Sequence, residues 1–161
     1  MDAEKLIHKA KDEGRSALTE AEAGDLLRRF GVPVAAASVA ATPEEAVEKA
    51  RTLGFPVVLK GLGTRLTHKT ERGLVRLSLG NVAEVRQAAL AVAASAGADL
   101  EGYLIQPMLP GRREFVAGLF RDPQFGPVVM FGLGGIFTEA LDDVTFRIAP
   151  VDEREAGAMI D

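Results

Sequence analysis

Three times within its first hundred residues the chain writes the same helix-start signature, a capping side chain followed three residues later by a glutamate. The pairs are Thr19 with Glu22, Thr42 with Glu45, and Asn81 with Glu84. The cap accepts a hydrogen bond from an orphan amide of the first turn, and the glutamate reaches back toward the cap's own amide. The first run continues through Leu26, Leu27 and Phe30 to Gly31. The second has Pro43 in its first turn and runs to Leu53-Gly54, and the third is alanine-rich up to Gly97. Proline just inside a start and glycine just past an end are the expected punctuation of a helix. Between these helices lie Val34 to Val39, the apolar run Phe55 to Leu59, and Gly73 to Leu79, where Val75, Leu77 and Leu79 alternate with polar residues. These read as strands. The order αβαββα predicts an α+β fold.

After Gly97 the texture changes. Tyr103 to Met108, Glu114 to Phe120, Pro127 to Phe131 and Thr145 to Ala149 read as strands separated by turns, with almost no helix. A second lobe is expected, with a hinge near Gln106-Pro107-Met108-Leu109-Pro110-Gly111. The resulting division is 1–17 as a charged, solvated helical extension that docks weakly or frays, 18–105 as a first lobe, and 106–161 as a second. Asp152 with Glu155 opens one more helix, and the chain ends at Asp161 after little more than two turns, as though the second lobe were cut short. A length of 161 residues suits one domain or two small lobes.

Composition excludes several classes. With 47% hydrophobic and 26% charged residues, neither a disordered nor a fibrous chain fits. A net charge of −4 argues against a general polyanion binder, so no nucleic-acid partner is expected and any positive site must be local. The absence of cysteine removes disulfides, thiolate metal sites and thiol nucleophiles. The opening Met1-Asp2-Ala3-Glu4-Lys5 lacks the order of a secretory signal, and no apolar run approaches the roughly 20 residues that span a bilayer. The expectation is a cytoplasmic chain without membrane insertion.

The most informative stretch runs from Lys60 to Gly73. It gathers Lys60, Arg65, Lys69 and Arg72 with His68 and three threonines around Gly61 and Gly63, in a chain that is acidic overall. Glycines let backbone amides approach a phosphate, and the cations offset its charge. Two standard phosphate motifs nearly match and both fail. Gly61-Leu62-Gly63-Thr64-Arg65-Leu66 lacks the third glycine of the dinucleotide fingerprint, and Gly63 through Thr70 has His68 where a P-loop has its second glycine. Both motifs require a helix next, whereas the run Leu74 to Leu79 has period two. The stretch therefore belongs to a β-hairpin.

At this point the sequence resembles the ATP-grasp subunit or domain of the acyl-CoA synthetases that form ADP or another nucleoside diphosphate, the acetate–CoA ligase family. The matching blocks are Leu18 to Glu22, Phe30 to Val34, Phe55 to Lys60, Thr67-His68-Lys69-Thr70 with Gly73, Asp122 to Val128, and Phe131 to Gly135, followed by Glu139 to Val144 and Phe146 to Pro150. They run in family order from about Leu18 to the final residue. The resemblance implies an ATP-grasp fold in which two α+β lobes hold ATP between them. It makes Lys60 the lysine that contacts the phosphates and His68 the histidine that accepts and passes on a phosphoryl group. A neutral imidazole is a competent nucleophile near pH 7, and a phosphohistidine divides one long transfer into two shorter ones. Lys69 and Arg65 would favour the phosphorylated state electrostatically. Two positions depart from the pattern: Arg72 stands where a second glycine is usual, and Asp142 where a lysine is common.

The resemblance also places Gly132-Leu133-Gly134-Gly135 beside the triphosphate, flanked by Glu139 and Asp143. Their carboxylates suit Mg2+, which takes one or two protein oxygens together with phosphate oxygens and water. Arg147 on the following strand is placed to reach the phosphates, and Glu114 at the start of the second lobe is a further polar candidate. Backbone groups of Gln106, Pro107 and Met108 would read the adenine edge, with Val58 and Leu104 as apolar contacts. Each has a plainer reading: the hinge residues as core and turn, Lys60 as a strand end, the acids as a solvated turn, and the glycines as a tight bend. His8 has no such context. The implied activity is that of an acid–thiol ligase component interconverting acyl-CoA and carboxylate with ATP formation or use. It would work with a CoA-binding alpha subunit or fused domain. Two rivals stand beside it: a regulatory nucleotide-binding domain of the kind fused to protein acetyltransferases, and an ATP-grasp ligase that uses an acyl-phosphate without a phosphohistidine.

Overall fold

The helix-start signatures form caps, although only part of them closes reciprocally. The computed structural model describes residues 3–66, 69–111, 113–134 and 143–160. Ahead of helix α2 (Glu20–Arg29), Thr19 accepts from the Glu22 amide while the Thr19 amide donates to the Glu22 carboxylate at 2.8 Å, which is a full capping box. At α3 (Pro43–Leu53) and α4 (Val82–Ala96) the caps Thr42 and Asn81 accept from the glutamate amides. There the carboxylates reach one residue further back, to the amides of Ala41 and Gly80. Orphan donors are satisfied in all three cases.

The first compact unit spans Met1–Leu109. Its sheet has the order β1 (Ser38–Ala40), β4 (Gly102–Pro107), β2 (Val57–Leu62), β3 (Val75–Leu79), and every neighbouring pair is antiparallel. Because side chains alternate along a strand, one face carries Val57 and Leu59 of β2 with Tyr103 and Ile105 of β4. That face packs under α3 and α4, against Ala46, Val47 and Ala50 and against Val85, Ala89 and Val92. The other face carries Val58, Lys60, Leu104 and Gln106, and a cavity of about 280 Å3 separates its Leu104 and Gln106 from α2.

Three spans differ from the sequence expectation. The run from Val34 contributes only its end to the sheet, as β1. Its first half is used by α2 instead, where Arg28 donates to the Ala35 carbonyl at 3.1 Å and Val34 lies against Gly24. Strand β2 runs on through Lys60 to Leu62, because β4 pairs with it as far as Gly102 and the Gly61 amide donates to the Leu74 carbonyl at 2.8 Å. The charged opening docks more firmly than its composition suggests. Helix α1 (Ala3–Asp12) buries Leu6 and Ala10. Behind it Arg15 clasps Glu22 with two bonds of 2.8 and 2.9 Å.

The second compact unit, Pro110–Asp161, is built on a three-stranded antiparallel sheet in the order β5 (Phe115–Asp122), β6 (Gly126–Leu133), β7 (Val144–Ile148). The β5–β6 turn is closed by the Asp122 carboxylate, which accepts from the amides of Gln124 and Phe125, and by Gly126 at φ 77°. Asp152 and Glu155 form a reciprocal capping box for α5 (Glu153–Ile160), which buries Met159. Among the described residues, no helix is long and apolar enough to cross a membrane.

Candidate functional site

In the first unit the site begins with the alternation of β2. Val57 and Leu59 are fixed in the core, so Lys60 must leave the sheet on the opposite side, toward α2. There its Nζ lies 2.5 Å from Oε1 of Glu20, the first residue of α2. Lys69 arrives from the far arm of the hairpin loop and places its Nζ 3.8 Å from the other oxygen of the same carboxylate. Two cations from separate segments thus converge on one pair of oxygens. Beside them lies the cavity under α2, walled by Val34, Val39, Leu104 and Leu27, with Gln106 and the charged Glu20, Asp25 and Arg28 of α2 as its polar groups. The apolar part of this wall, next to the Glu20 carboxylate on which both lysines converge, is suited to a flat base with an anionic tail.

The loop arms are held in place. Leu66 is buried against Gly61 and Gly63, and a Cβ on Gly63 would run into the Asp99 carbonyl. The Thr64 hydroxyl and amide both donate to Glu101 Oε1, at 2.6 and 2.8 Å, and together they hold its carboxyl below the usual range. Arg65 pairs with Asp99 at 2.7 Å, so in this arrangement its charge fastens the near arm. On the far arm the Leu74 amide donates to the Lys69 carbonyl at 2.7 Å, and the Gly73 amide to Thr70 at 3.1 Å, with Gly73 at φ 66°. Thr67 and His68 lie outside the described residues.

The hinge residues are distributed unequally. Gln106 and Pro107 belong to β4, opposite Val58 and Val57. The Met108 amide donates to the Pro56 carbonyl at 3.0 Å. In an antiparallel ladder the next residue turns its carbonyl the other way. The Pro107 carbonyl therefore points away from β2, beyond the last β1 partner, Ser38 opposite Ile105.

In the second unit, Glu114, Gly134 and Asp143 gather at one end of the sheet. The Gly134 amide donates to the Glu114 carbonyl at 2.8 Å, and the Leu133 amide to the Asp143 carbonyl at 3.2 Å. The glycines are required here by close approach. A Cβ on Gly132 would run into the Asp143 carbonyl, and one on Gly134 would sit 3.1 to 3.2 Å from the backbone of Glu114 and Phe115, tighter than ordinary contact. Arg147 stands four residues along β7 from Asp143, about 13 Å by strand rise. Its guanidinium turns back to the Thr145 hydroxyl at 3.2 Å and the Phe146 carbonyl at 2.8 Å. Gly135 and Glu139 lie outside the described residues. Among the described residues there is no cluster of three or more His, Cys, Asp or Glu side chains able to hold a metal. The exposed Asp143 carboxylate fits a hard ion that keeps most of its waters and needs few protein oxygens.

Sequence reasoning missed Glu20, Glu101 and Asp99. Glu20 sits inside the helix-start block and looks like first-turn chemistry, and nothing local links residues 20 and 60. Glu101 and Asp99 are brought to the loop by the register of β4 with β2 and by the 3-10 turn Gly97–Asp99 that precedes β4.

A family model described as the ATP-grasp domain matches residues 9–161. The chain is 45% identical, over 98% of its length and 70% of the relative's, to the acetate–CoA ligase [ADP-forming] I subunit beta of Pyrococcus furiosus. Among solved structures it matches the Ca. Korarchaeum cryptofilum dinucleotide forming acetyl-coenzyme A synthetase 1 in complex with coenzyme A, Ca-AMPCP and HgCl+. That match has a TM-score of 0.94 and 43% identity, and covers 99% of this chain and 72% of the other. A second structure of that enzyme, with a phosphorylated phosphohistidine segment, matches with a TM-score of 0.85 and 40% identity over 99% and 71%. The chain belongs to the ATP-grasp family, in the branch of the ADP-forming acyl-CoA synthetases, whose beta subunits it resembles over nearly all of its own length.

Proposed function

We propose that this chain binds Mg-ATP with its phosphates on Lys60 and Lys69 and moves the terminal phosphoryl group between the nucleotide and His68. The observation that carries the reading is the convergence of the two lysines on one carboxylate that also lines the cavity under α2. A carboxylate is the protein's own version of a phosphate edge, two oxygens sharing one charge, so the lysines are already spaced for an oxyanion. The base would lie against Leu104 with its amino edge toward the Pro107 carbonyl.

Transfer requires in-line attack and stabilisation of charge on the equatorial oxygens. In the forward direction an imidazole nitrogen lone pair forms the P–N bond as the P–O bond to ADP breaks, and the bridging oxygen leaves with ADP. In reverse, ADP oxygen takes the phosphoryl group and the imidazole lone pair is restored. Lys60 and Lys69 neutralise the oxygens in both directions, and the anchored arms limit the reorganisation needed. Asp143, with Glu139, would hold Mg2+, which neutralises phosphate charge and orients the terminal group. Glu114, Gly134, Gly135 and Arg147 remain candidate phosphate contacts of the second unit.

The acyl group and CoA belong to a partner, an alpha subunit or a fused domain, and the pair works in the cytoplasm. Activity of the whole enzyme thus depends on assembly. Incubation with γ-labelled ATP tests the reading: acid-labile label appears on the wild-type chain and is absent from His68→Ala. Nucleotide bound without any label would make the chain a sensor, and acyl-CoA formation unchanged by His68→Ala in the assembled enzyme would point to an acyl-phosphate route.

A further inference from the structure

We infer that Glu20 is a built-in competitor for the phosphate site, an anion on α2 that nucleotide must displace from Lys60 and Lys69, and that it sets the site's affinity. The inference rests on the reading of the two lysines as phosphate ligands. Glu20 is the first residue of α2, and the other acid of that first turn, Glu22, is committed to Arg15 and to the Thr19 amide. Glu20 instead crosses to β2 and to the returning arm of the loop, joining three segments through one carboxylate.

An ATP or ADP phosphate arriving at Lys60 meets that carboxylate at hydrogen-bonding distance from the same Nζ. Two anions cannot share the position without strong repulsion, because charges a few ångströms apart near a surface interact appreciably. The Glu20 side chain is 37% exposed and has solvent beside it, so it is free to rotate away while its backbone stays in the helix. At the helix N-terminus the released carboxylate still has a favourable place. The local balance of two lysines against one glutamate is +1, and without Glu20 it would be +2. Glu20 thus weakens the site for any anion and reserves it for a ligand that gains additional contacts, as a nucleotide does through its base.

The test is calorimetric titration of the full chain with ADP at low salt, for wild type, Glu20→Gln, Glu20→Asp and Lys60→Met, with Glu20→Gln also made on the Lys60→Met background. Removing the competing charge tightens ADP binding by about fivefold, a change of the size expected for one partly screened charge pair. The shorter Glu20→Asp, unable to span both lysines, gives a smaller gain. On the Lys60→Met background the gain shrinks. A purely structural ion pair would give the opposite sign, with ADP binding weakened by Glu20→Gln. Unchanged or weaker binding by Glu20→Gln, with Lys60→Met still impaired, overturns the competitor role and leaves the phosphate reading intact. Lys60→Met binding ADP as well as wild type, or a wild-type chain that binds none, removes the phosphate reading and this inference with it.

Discussion

The second sheet has the longer strands, two of eight residues against at most six in the first, yet it buries them far less. In the first unit Val57, Leu59, Tyr103 and Ile105 are at most 2% exposed beneath α3 and α4. In the second, Phe115 and Leu119 on one face and Phe120, Phe146 and Ile148 on the other remain exposed, and Val128 and Met159 are the buried apolar residues among those described. The second sheet relies on its ladder, the Phe115–Phe131 stack at 5.6 Å and the edge contact of Phe120 with Phe146 at 6.2 Å. Small sheets with one layer uncovered are marginal. The contrast shows why the lysine pair stands where it does. A strand locked on one face by a helical layer presents its other face rigidly, and Lys60 inherits that rigidity.

The largest expected effect breaks the comparison at its stronger side. Leu59→Ala should cost about 3 kcal/mol in urea unfolding, whereas Leu119→Ala on the open sheet should cost less than about 0.5 kcal/mol. Equal costs would mean that the two sheets are not held differently. Next comes Gly132→Ala, whose Cβ collides with the Asp143 carbonyl. It should destabilise the second unit by about 2 kcal/mol. Hydrogen exchange should speed up at the β6–β7 amides while α3 and α4 keep their protection.

The smallest effect concerns the clasp of the first helix. The Arg15 guanidinium, with its hydrogen bonds and charge, is the main influence that holds the Glu22 carboxyl down at about 2, with the Thr19 amide and hydroxyl adding to it. Because the folded value lies below the unfolded one, this pair contributes fully above the ordinary glutamate range and loses its contribution as pH falls through about 2. Glu22→Gln should be about 1 kcal/mol less stable at pH 7, a figure reduced for solvent screening of the pair. The gap should close between about pH 5 and pH 2 in acid titrations followed by circular dichroism.

Local signals carried much of the fold. The pairs Thr19–Glu22, Thr42–Glu45, Asn81–Glu84 and Asp152–Glu155 are each resolved within four residues, and so are visible in sequence. The hairpin reading of the Lys60–Gly73 stretch followed from the period-two run of Leu74 to Leu79, and β2 does pair with β3. What lay out of reach was non-local. Whether Val34 to Ala37 joins the sheet or α2 is decided by Arg28 and Gly24. That Met108 spends its amide on Pro56 depends on ladder phase, and that Glu20 faces Lys60 depends on α2 crossing the sheet's free face. The pairing of Arg65 with Asp99, 34 residues away in the chain, lay out of reach for the same reason.

The most direct measurement is a crystal structure of the chain with Mg-ADP. The account predicts phosphate oxygens within hydrogen-bonding distance of Lys60 and Lys69 Nζ, the Glu20 carboxylate turned away, and the base against Leu104. Nucleotide bound elsewhere, with both lysines still paired to Glu20, would contradict it.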